Sequence, residues 1–534
     1  MARLARAAAS VPWCRWAVRR GALPWAQAFS SAATRHTIFA LSSAQGRAAI
    51  AIVRLSGPGV DSALQRLLPA GAVLPPPRTA ALASLLGLGG GLLDRALVLR
   101  FPGPRSFTGE DCAELHVHGG PAVVRAVLDA LQALGLRPAE AGEFSRRAFD
   151  AGKLDLTQVE GLADLLAAET ESQRRQALLH TTGAARRQHE EWRHSLLTCL
   201  ARLEAMIDFG EDEGIADDVA AGVLPQVQAL RGQLERHLAS AVGGELVRSG
   251  VRIAIVGPPN AGKSSLLNLL AGHDAAIVSP VAGTTRDLVQ VQLELGGNKV
   301  ILIDSAGLRQ TDCPIEAEGV RRTVAAAQQA HVVVHVADAA AGFGASAGQA
   351  QADEQPADSA ALPLAPHALQ LWVLNKTDLL QPCAAQAAAS QQLWPAAAQA
   401  AAQQAACDAA AAPASGSGGQ LSAAHESQQP LLISCRTGQG IEQLLGALQQ
   451  HVAGLVAQGG DGGMERALPT RARHMHHLSE AVAALQRYEA AASSQLEVAC
   501  EELRGAARAL GRVTGAVDTE EVLGRIFEEF CIGK

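Results

Sequence analysis

No apolar run in the 534 residues reaches the ~20 needed to cross a bilayer; Ala80–Leu93 is short and Gly-rich, so no membrane span is expected. None of the nine cysteines stands in a C-x-x-C pair, which argues against a zinc ribbon and suits a reducing compartment. Positive charge is not in surplus either. The formal net charge of −7 excludes wrapping in nucleic acid through a global basic field and confines any RNA contact to local patches. Acidic residues are missing before Asp61, whereas Arg3, Arg6, Arg15, Arg19, Arg20 and Arg35 precede it. An Arg-rich, Ser/Ala-rich, acid-free start is the pattern of an organellar transit peptide, expected over residues 1–35 and left out of the fold. The amphipathic arginine spacing favours a mitochondrion, with the chloroplast as the alternative.

What is present changes character along the chain. From residue 36 to 152 the pattern is mixed: "AAIAIVRLSG" and "CAELHVHGG" alternate like strands, and Val123–Leu134 reads as a helix. Over residues 153–249 strand signals vanish, and amphipathic helices are expected with a break at "DFGEDEG". Strands return over residues 250–455, and residues 456–534 are helical again, ending in "FCIGK". Helical, then α/β, then helical predicts an α/β domain inserted into a helical one. Two low-complexity stretches, near residues 339–366 and 382–430, lack the apolar content to offset the entropy cost of ordering and read as loop insertions.

The inserted segment carries "GPPNAGKSSLLN", which fits G-x-x-x-x-G-K-[ST] between the apolar run Val251–Val256 and a helix start. In that setting the backbone N–H groups of Asn260, Ala261, Gly262, Lys263, Ser264 and Ser265 can surround phosphate oxygens. Lys263 can neutralise β/γ charge and Ser264 can ligate Mg²⁺. Downstream, "GTTRD" offers Thr285 as a second Mg²⁺ ligand, and "ILIDSAG" ends a strand with Asp304 and offers the Gly307 N–H to the γ-phosphate. "LWVLNKTD" supplies Asn375, Lys376 and Asp378, whose carboxylate can accept both the N1–H and the 2-amino group of guanine. "LLISCRTG" adds Ser434, Cys435 and Arg436, with backbone N–H groups for the guanine O6. Any one of these is weak, but five in order point to GTP.

Ras-type sites orient water with a Gln directly after D-x-x-G. Here that position is Leu308, which neither donates nor accepts. Asn260, beside the β/γ-phosphate position, can ligate a monovalent cation and so place charge where an arginine finger would act; a loop-stabilising hydrogen bond is its alternative role.

From about Thr37 to the terminus, apart from the two insertions, the chain resembles the tRNA-modification GTPases of the MnmE (TrmE) family. The resemblance rests on "IVRLSGP", "PGPRSFTGEDCAELHVHGGP", "AGEFSRRAFDAGKLDLTQVEGLADL" and "GRIFEEFCIGK". The chain departs at Ala141, where the family has Pro, at Ser305 in its D-S-A-G, and at Ala48-Ala49, where a glycine pair is usual. The resemblance implies a multidomain α/β plus all-α fold: an N-terminal α/β tetrahydrofolate-binding and dimerising domain, then a helical domain interrupted by a Ras-like P-loop GTPase domain. It implies a homodimer whose GTPase is activated by K⁺ held by Asn260, Ser279, the Val281 backbone and Thr284, with Glu316 as the catalytic glutamate that positions water through further waters. Arg54, Glu114, Lys153 and Lys534 match the family's contacts to a 5,10-methylene- or 5-formyl-tetrahydrofolate. With an FAD-containing MnmG (GidA)-type partner, such proteins build an aminomethyl group on C5 of uridine 34 of tRNA, with glycine or taurine completing it. Cys531 is a candidate nucleophile for uridine C6, a structural role being equally open.

Other features weigh less. Glu114, His116 and His118 share a strand face with metal-ligand spacing, but no further ligand cluster joins them. His474, His476 and His477 are expected on a helix surface. An RNA-binding assembly switch of the Era type is the competing function, and it would need a basic RNA module that the sequence does not offer.

Overall fold

Alternating hydrophobicity builds the first sheet. In "CAELHVH" the segment forms β5 (Cys112–His118), burying Ala113, Leu115 and Val117 and turning Glu114, His116 and His118 to the other face. The sheet is completed by β1 (Ile38–Leu41), β2 (Ile50–Ser56), β3 (Ala81–Leu86), β4 (Leu92–Phe101) and the two-residue β6 (Arg137–Pro138), of which β1 is buried on both faces. Their order is β3-β4-β5-β2-β1-β6, antiparallel except for the parallel β1–β6 pair. Helices α1 (Val60–Leu67) and α2 (Pro121–Ala133) press Leu64, Leu67, Val127 and Leu131 onto Val53, Leu55, Val98 and Leu115 of the sheet. On β1, Phe39 joins that core, while Ile38 and Ala40 point the opposite way and meet Phe144 of α3 (Glu143–Asp150).

The computed structural model describes residues 36–213, 216–258, 260–272, 290–304, 328–339, 368–380, 430–457, 466–492, 495–516 and 533. The chain forms two compact units, residues 1–154 with 520–534, and residues 155–519. The transit-peptide segment and both low-complexity insertions lie largely outside the described residues.

The second unit opens with helices α4 (Leu156–Ala167) and α5 (Glu171–Thr181), each started by a reciprocal capping box: Asp155 with Gln158, then Thr170 with Gln173. Then come α6 (Ala184–Glu213), α7 (Ala216–Ala239) and α8 (Ala241–Ser249). The break expected at "DFGEDEG" comes at its end, since α6 continues through Glu213 and α7 starts at Ala216. A single interior glycine costs a helix only about 1 kcal/mol, and Gly210 is tolerated. The inserted domain follows, with β7 (Val251–Val256), α9 (Lys263–Ala271), β8 (Gln290–Leu295), β9 (Asn298–Asp304), β10 (Val332–Asp338), β11 (Leu369–Asn375), β12 (Leu431–Leu432) and α10 (Ile441–Ala457). Its sheet runs β12-β11-β10-β7-β9-β8, parallel except for the antiparallel edge strand β8.

Insertion is explicit in the packing. Helices α11 (Ala472–Ala491) and α12 (Leu496–Thr514) come after the sheet yet share one core with the helices before it. Leu196 and Leu203 of α6, and Val227 and Leu234 of α7, meet Leu478, Leu485 and Tyr488 of α11 and Leu503 and Leu510 of α12. A buried ion cluster adds to this join. Glu160 of α4 accepts from His474 (2.8 Å) and from Arg473 (2.9 and 3.2 Å), and Arg471 stands 3.9 Å away. Burial alone would raise the Glu160 carboxyl, but His474, Arg473 and Arg471 outweigh it and hold the group well below the usual carboxylate range. His474 is therefore no surface residue, being 2% exposed.

Candidate functional site

The P-loop is shaped by two close backbone approaches. A Cβ on Gly257 would lie 2.1 Å from the Val336 carbonyl of β10, and one on Gly262 would lie 2.1 Å from Asn375 Nδ2. No side chain fits at either place, so glycine there is dictated by packing as well as by phosphate access. Gly262 caps α9 in a left-handed conformation (φ 97°), and Lys263, Ser264 and Ser265 form the helix's first turn. The N–H groups at the start of such a helix point outward with the helix dipole behind them, the arrangement that receives an anion. Lys263 is buried, and its Nζ donates to the Gly257 and Pro258 carbonyls at 2.9 Å each. Asn260 holds φ 63° at the exposed tip of the loop. In the β7–β9 pairing Ile255 is level with Asp304, which brings that backbone position to the mouth of the P-loop.

Asn375, at the end of β11, is the hinge pin of the site. Its Nδ2 donates to the Ala261 carbonyl (2.9 Å) and its Oδ1 accepts from the Cys435 N–H (3.1 Å). One buried amide therefore ties the phosphate loop to the loop carrying Ser434, Cys435 and Arg436. Lys376 takes a left-handed turn (φ 65°) and pairs with Asp338 at 2.6 Å. Ser434 donates from Oγ to Asp378 Oδ1 at 2.7 Å, which fixes the carboxylate's plane, and Arg436 stands 4.0 Å from Oδ2. Burial pushes the Cys435 thiol up, so it remains a neutral packing group whose backbone N–H is the useful part. The Asn375 bridges and the Ser434–Asp378 bond escape a motif search, because their partners lie 56 to 114 positions apart.

In the N-terminal unit, Arg54 of β2 sits opposite Glu114 of β5 in register and donates to Glu114 Oε1 from Nε (3.2 Å) and Nη2 (2.9 Å). His116 meets the other carboxylate oxygen at 3.3 Å. The guanidinium lies over Phe107 (5.4 Å) and Phe144 (5.9 Å), two aromatic rings whose part in the site no local pattern marks. The Lys153 stem passes Gly109 in the same loop as Phe107, its Cε 3.6 Å from where a Gly109 Cβ would be. Gly533 docks against the end of β1: its carbonyl accepts from Ser42 Oγ at 2.8 Å, and a Cβ on it would lie 2.2 Å from the Leu41 carbonyl. Leu41 neighbours Ala40, the register partner of Arg54. His118 turns away to Asp94 at 2.7 Å, so the Glu114–His116–His118 face does not converge on a metal. Among the described residues the group that does converge is His476, His477 and Glu480. Ser279, Val281, Thr284, Thr285, Gly307, Glu316, Cys531 and Lys534 lie outside the described residues, as does the Asp304 side chain.

A glycine cradle at the end of a parallel strand, tied by a buried Asn to an Asp-bearing loop, defines a P-loop GTP-binding protein. Residues 156–531 match the MnmE helical domain, and residues 37–153 match the GTP-binding protein TrmE N-terminus. The chain is 45% identical over 507 residues to the mitochondrial 5-taurinomethyluridine tRNA synthase subunit GTPB3 of Homo sapiens, with 93% of each chain covered. The Danio rerio protein of the same name is 44% identical over 513 residues, again with 93% of each covered. The tRNA modification GTPase MnmE of Paramagnetospirillum magneticum is 45% identical over 498 residues, covering 93% of this chain and 99% of that one. The chain therefore belongs to the MnmE family of tRNA-modification GTPases.

Proposed function

We propose that this chain is a potassium-activated GTP hydrolase acting, as a homodimer with an FAD-containing MnmG (GidA)-type partner, on wobble uridine 34 of organellar tRNAs. The product is a taurinomethyl or carboxymethylaminomethyl group on C5, built from a folate one-carbon unit. The names of the mitochondrial relatives support a mitochondrial location and the taurine form. The observation that carries the GTP half is the buried Asn375 amide, which ties the phosphate and base loops into one frame. Within that frame Asp378, held by Ser434, accepts the N–H edge of guanine, while Lys263 and the α9 N-terminus take the phosphates.

Ser264 and Thr285 would hold Mg²⁺. Potassium would be held by Asn260, Ser279, Thr284 and the Val281 backbone, and when bound it supplies positive charge beside the phosphates. Asn260 fits such a part: asparagine is among the few side chains that accept φ 63° in a loop, and there its amide is exposed. Glu316 orients water in place of the inert Leu308. Arg54 and Glu114 offer a cation and a carboxylate side by side to a pterin edge, with Lys153 and Lys534 for a glutamyl tail. GTP hydrolysis measured in KCl and in NaCl tests the potassium step. The rate is expected to rise strongly in KCl, and equal kcat in the two salts would refute it.

A further inference from the structure

We infer that His476, His477 and Glu480 of α11 form a site for Zn²⁺, with two imidazoles and one carboxylate as ligands and a further position open to solvent. The pattern H-H-x-x-E sets the spacing, since Glu480 stands four residues after His476 and three after His477. At ~100° per residue the three side chains fall within roughly 100° of arc, with Glu480 between the two histidines. The donor atoms follow that arrangement. His476 Nε2 is 3.4 Å from Glu480 Oε1, His477 Nδ1 is 2.9 Å from Oε2, and the ligand atoms of the three residues all lie within 4.8 Å of one another. Tetrahedral zinc with bonds of ~2.0–2.2 Å holds its ligand atoms ~3.3–3.6 Å apart. Both carboxylate contacts are already near that separation, and what remains is for the two rings to close on each other. The rings are tilted by 58° rather than stacked, so both lone pairs can turn toward one point.

The donor set selects the metal. Imidazole nitrogens with a carboxylate suit zinc, whereas Mg²⁺ and Ca²⁺ ask for oxygen ligands and Cu⁺ for sulfur. The backbone beneath is fixed, because His474, Leu478 and Ala481 of the same turns are buried. His477 is 17% exposed and His476 68%, so the site is anchored on one side and wet on the other. Three protein ligands with a solvent-facing fourth position leave room for a bound water. Nearby cations oppose the ion only weakly. Arg512 stands 3.9 Å from Glu480 Oε2 and is itself 40% exposed, and a solvated pair of this kind is worth little, so the guanidinium can move into water when the dication arrives. Arg473, one turn before His477, is already engaged by Glu160 and by the Arg512 and Val513 carbonyls. His474 also belongs to Glu160 and is not a fourth ligand.

The test uses the full-length protein stripped of metal by a chelator, with Zn²⁺ followed by calorimetry and Co²⁺ as a visible-light probe. Zn²⁺ should bind at this site, and Co²⁺ should show the absorption of a tetrahedral nitrogen–oxygen site. A thiolate charge-transfer band should be missing, which separates the site from the nine cysteines of the chain. His476→Ala and Glu480→Gln should each weaken Zn²⁺ binding at least about tenfold, since losing even an outer partner of a metal ligand costs that much. Unchanged GTPase rates without added zinc show that these variants are folded. His476→Cys should keep the metal and add the thiolate band, an effect that misfolding cannot imitate. Zinc affinity and stoichiometry equal in the unaltered protein and in His476→Ala and Glu480→Gln would overturn the inference and place the bound zinc elsewhere. An unaltered protein that takes up no Zn²⁺ would overturn it as well.

Discussion

Replacing Asn375 with Ala removes both ties between the two nucleotide loops at once. The Ala261 carbonyl and the Cys435 N–H lose partners at 2.9 and 3.1 Å, in a place where Asn375 is 2% exposed. Each such bond contributes about 0.5–1.5 kcal/mol net, so the pair is worth about 1–3 kcal/mol. In the free variant the two loops can relax towards water and recover part of that energy. Nucleotide binding draws them back into register and must supply it again. The cost therefore falls mainly on affinity, and the GTP and GDP dissociation constants should both rise roughly 5- to 150-fold. Titration with a fluorescent guanine nucleotide reads this directly, and a thermal melt checks that the domain remains folded. Affinity within about twofold of the unaltered protein, with a normal melt, would show that Asn375 is not the strut described and would refute the reasoning.

The buried ion cluster makes a stability prediction. Glu160→Gln leaves Arg473, Arg471 and His474 around an uncharged amide, and should cost about 3–5 kcal/mol in a chemical melt of the helical unit. The pH dependence has a definite sign. Because the folded Glu160 carboxyl is held below its unfolded value, its stabilisation is present above that value and is lost as pH falls through the folded one. Burial, helped by the charge of His474, pushes His180 and His237 down to about 4, so the unfolded chain takes up their protons first and stability already declines from about pH 6.5 to 4. Melting temperature that rises on acidification across that window would contradict the burial of these histidines. Deleting Cys531–Lys534 should weaken binding of 5-formyltetrahydrofolate in calorimetry while leaving GTP hydrolysis within severalfold. Undiminished folate affinity would remove Gly533 and Lys534 from that site.

Local patterns carried the fold. The alternation of "CAELHVH" gave a strand with the expected face buried, and Val251–Val256 with its glycine loop gave β7 and the start of α9. The interruption of the helical domain was also legible, because strand signals stop at residue 153 and resume at residue 250. What stayed hidden was long-range. His474 reads as one of three surface histidines in "RARHMHHLSE", but its partner Glu160 lies 314 positions earlier. A local signal did exist: His474, Leu478, Ala481 and Leu485 fall at i, i+4, i+7 and i+11, the buried stripe of α11. Phe107 and Phe144 likewise lie within "PGPRSFTGED" and "AGEFSRRAFD", yet their place over the Arg54 guanidinium depends on how α3 and the loop before β5 pack.

The central claim is that GTP hydrolysis by this chain serves the modification of wobble uridine 34. Mass spectrometry of nucleosides from organellar tRNAs, taken from cells lacking the protein, tests it most directly. The account predicts loss of the C5 taurinomethyl or carboxymethylaminomethyl uridine, restored by the intact gene and not by Asn375→Ala at limiting expression. A full complement of the modified nucleoside in the deleted cells would contradict it.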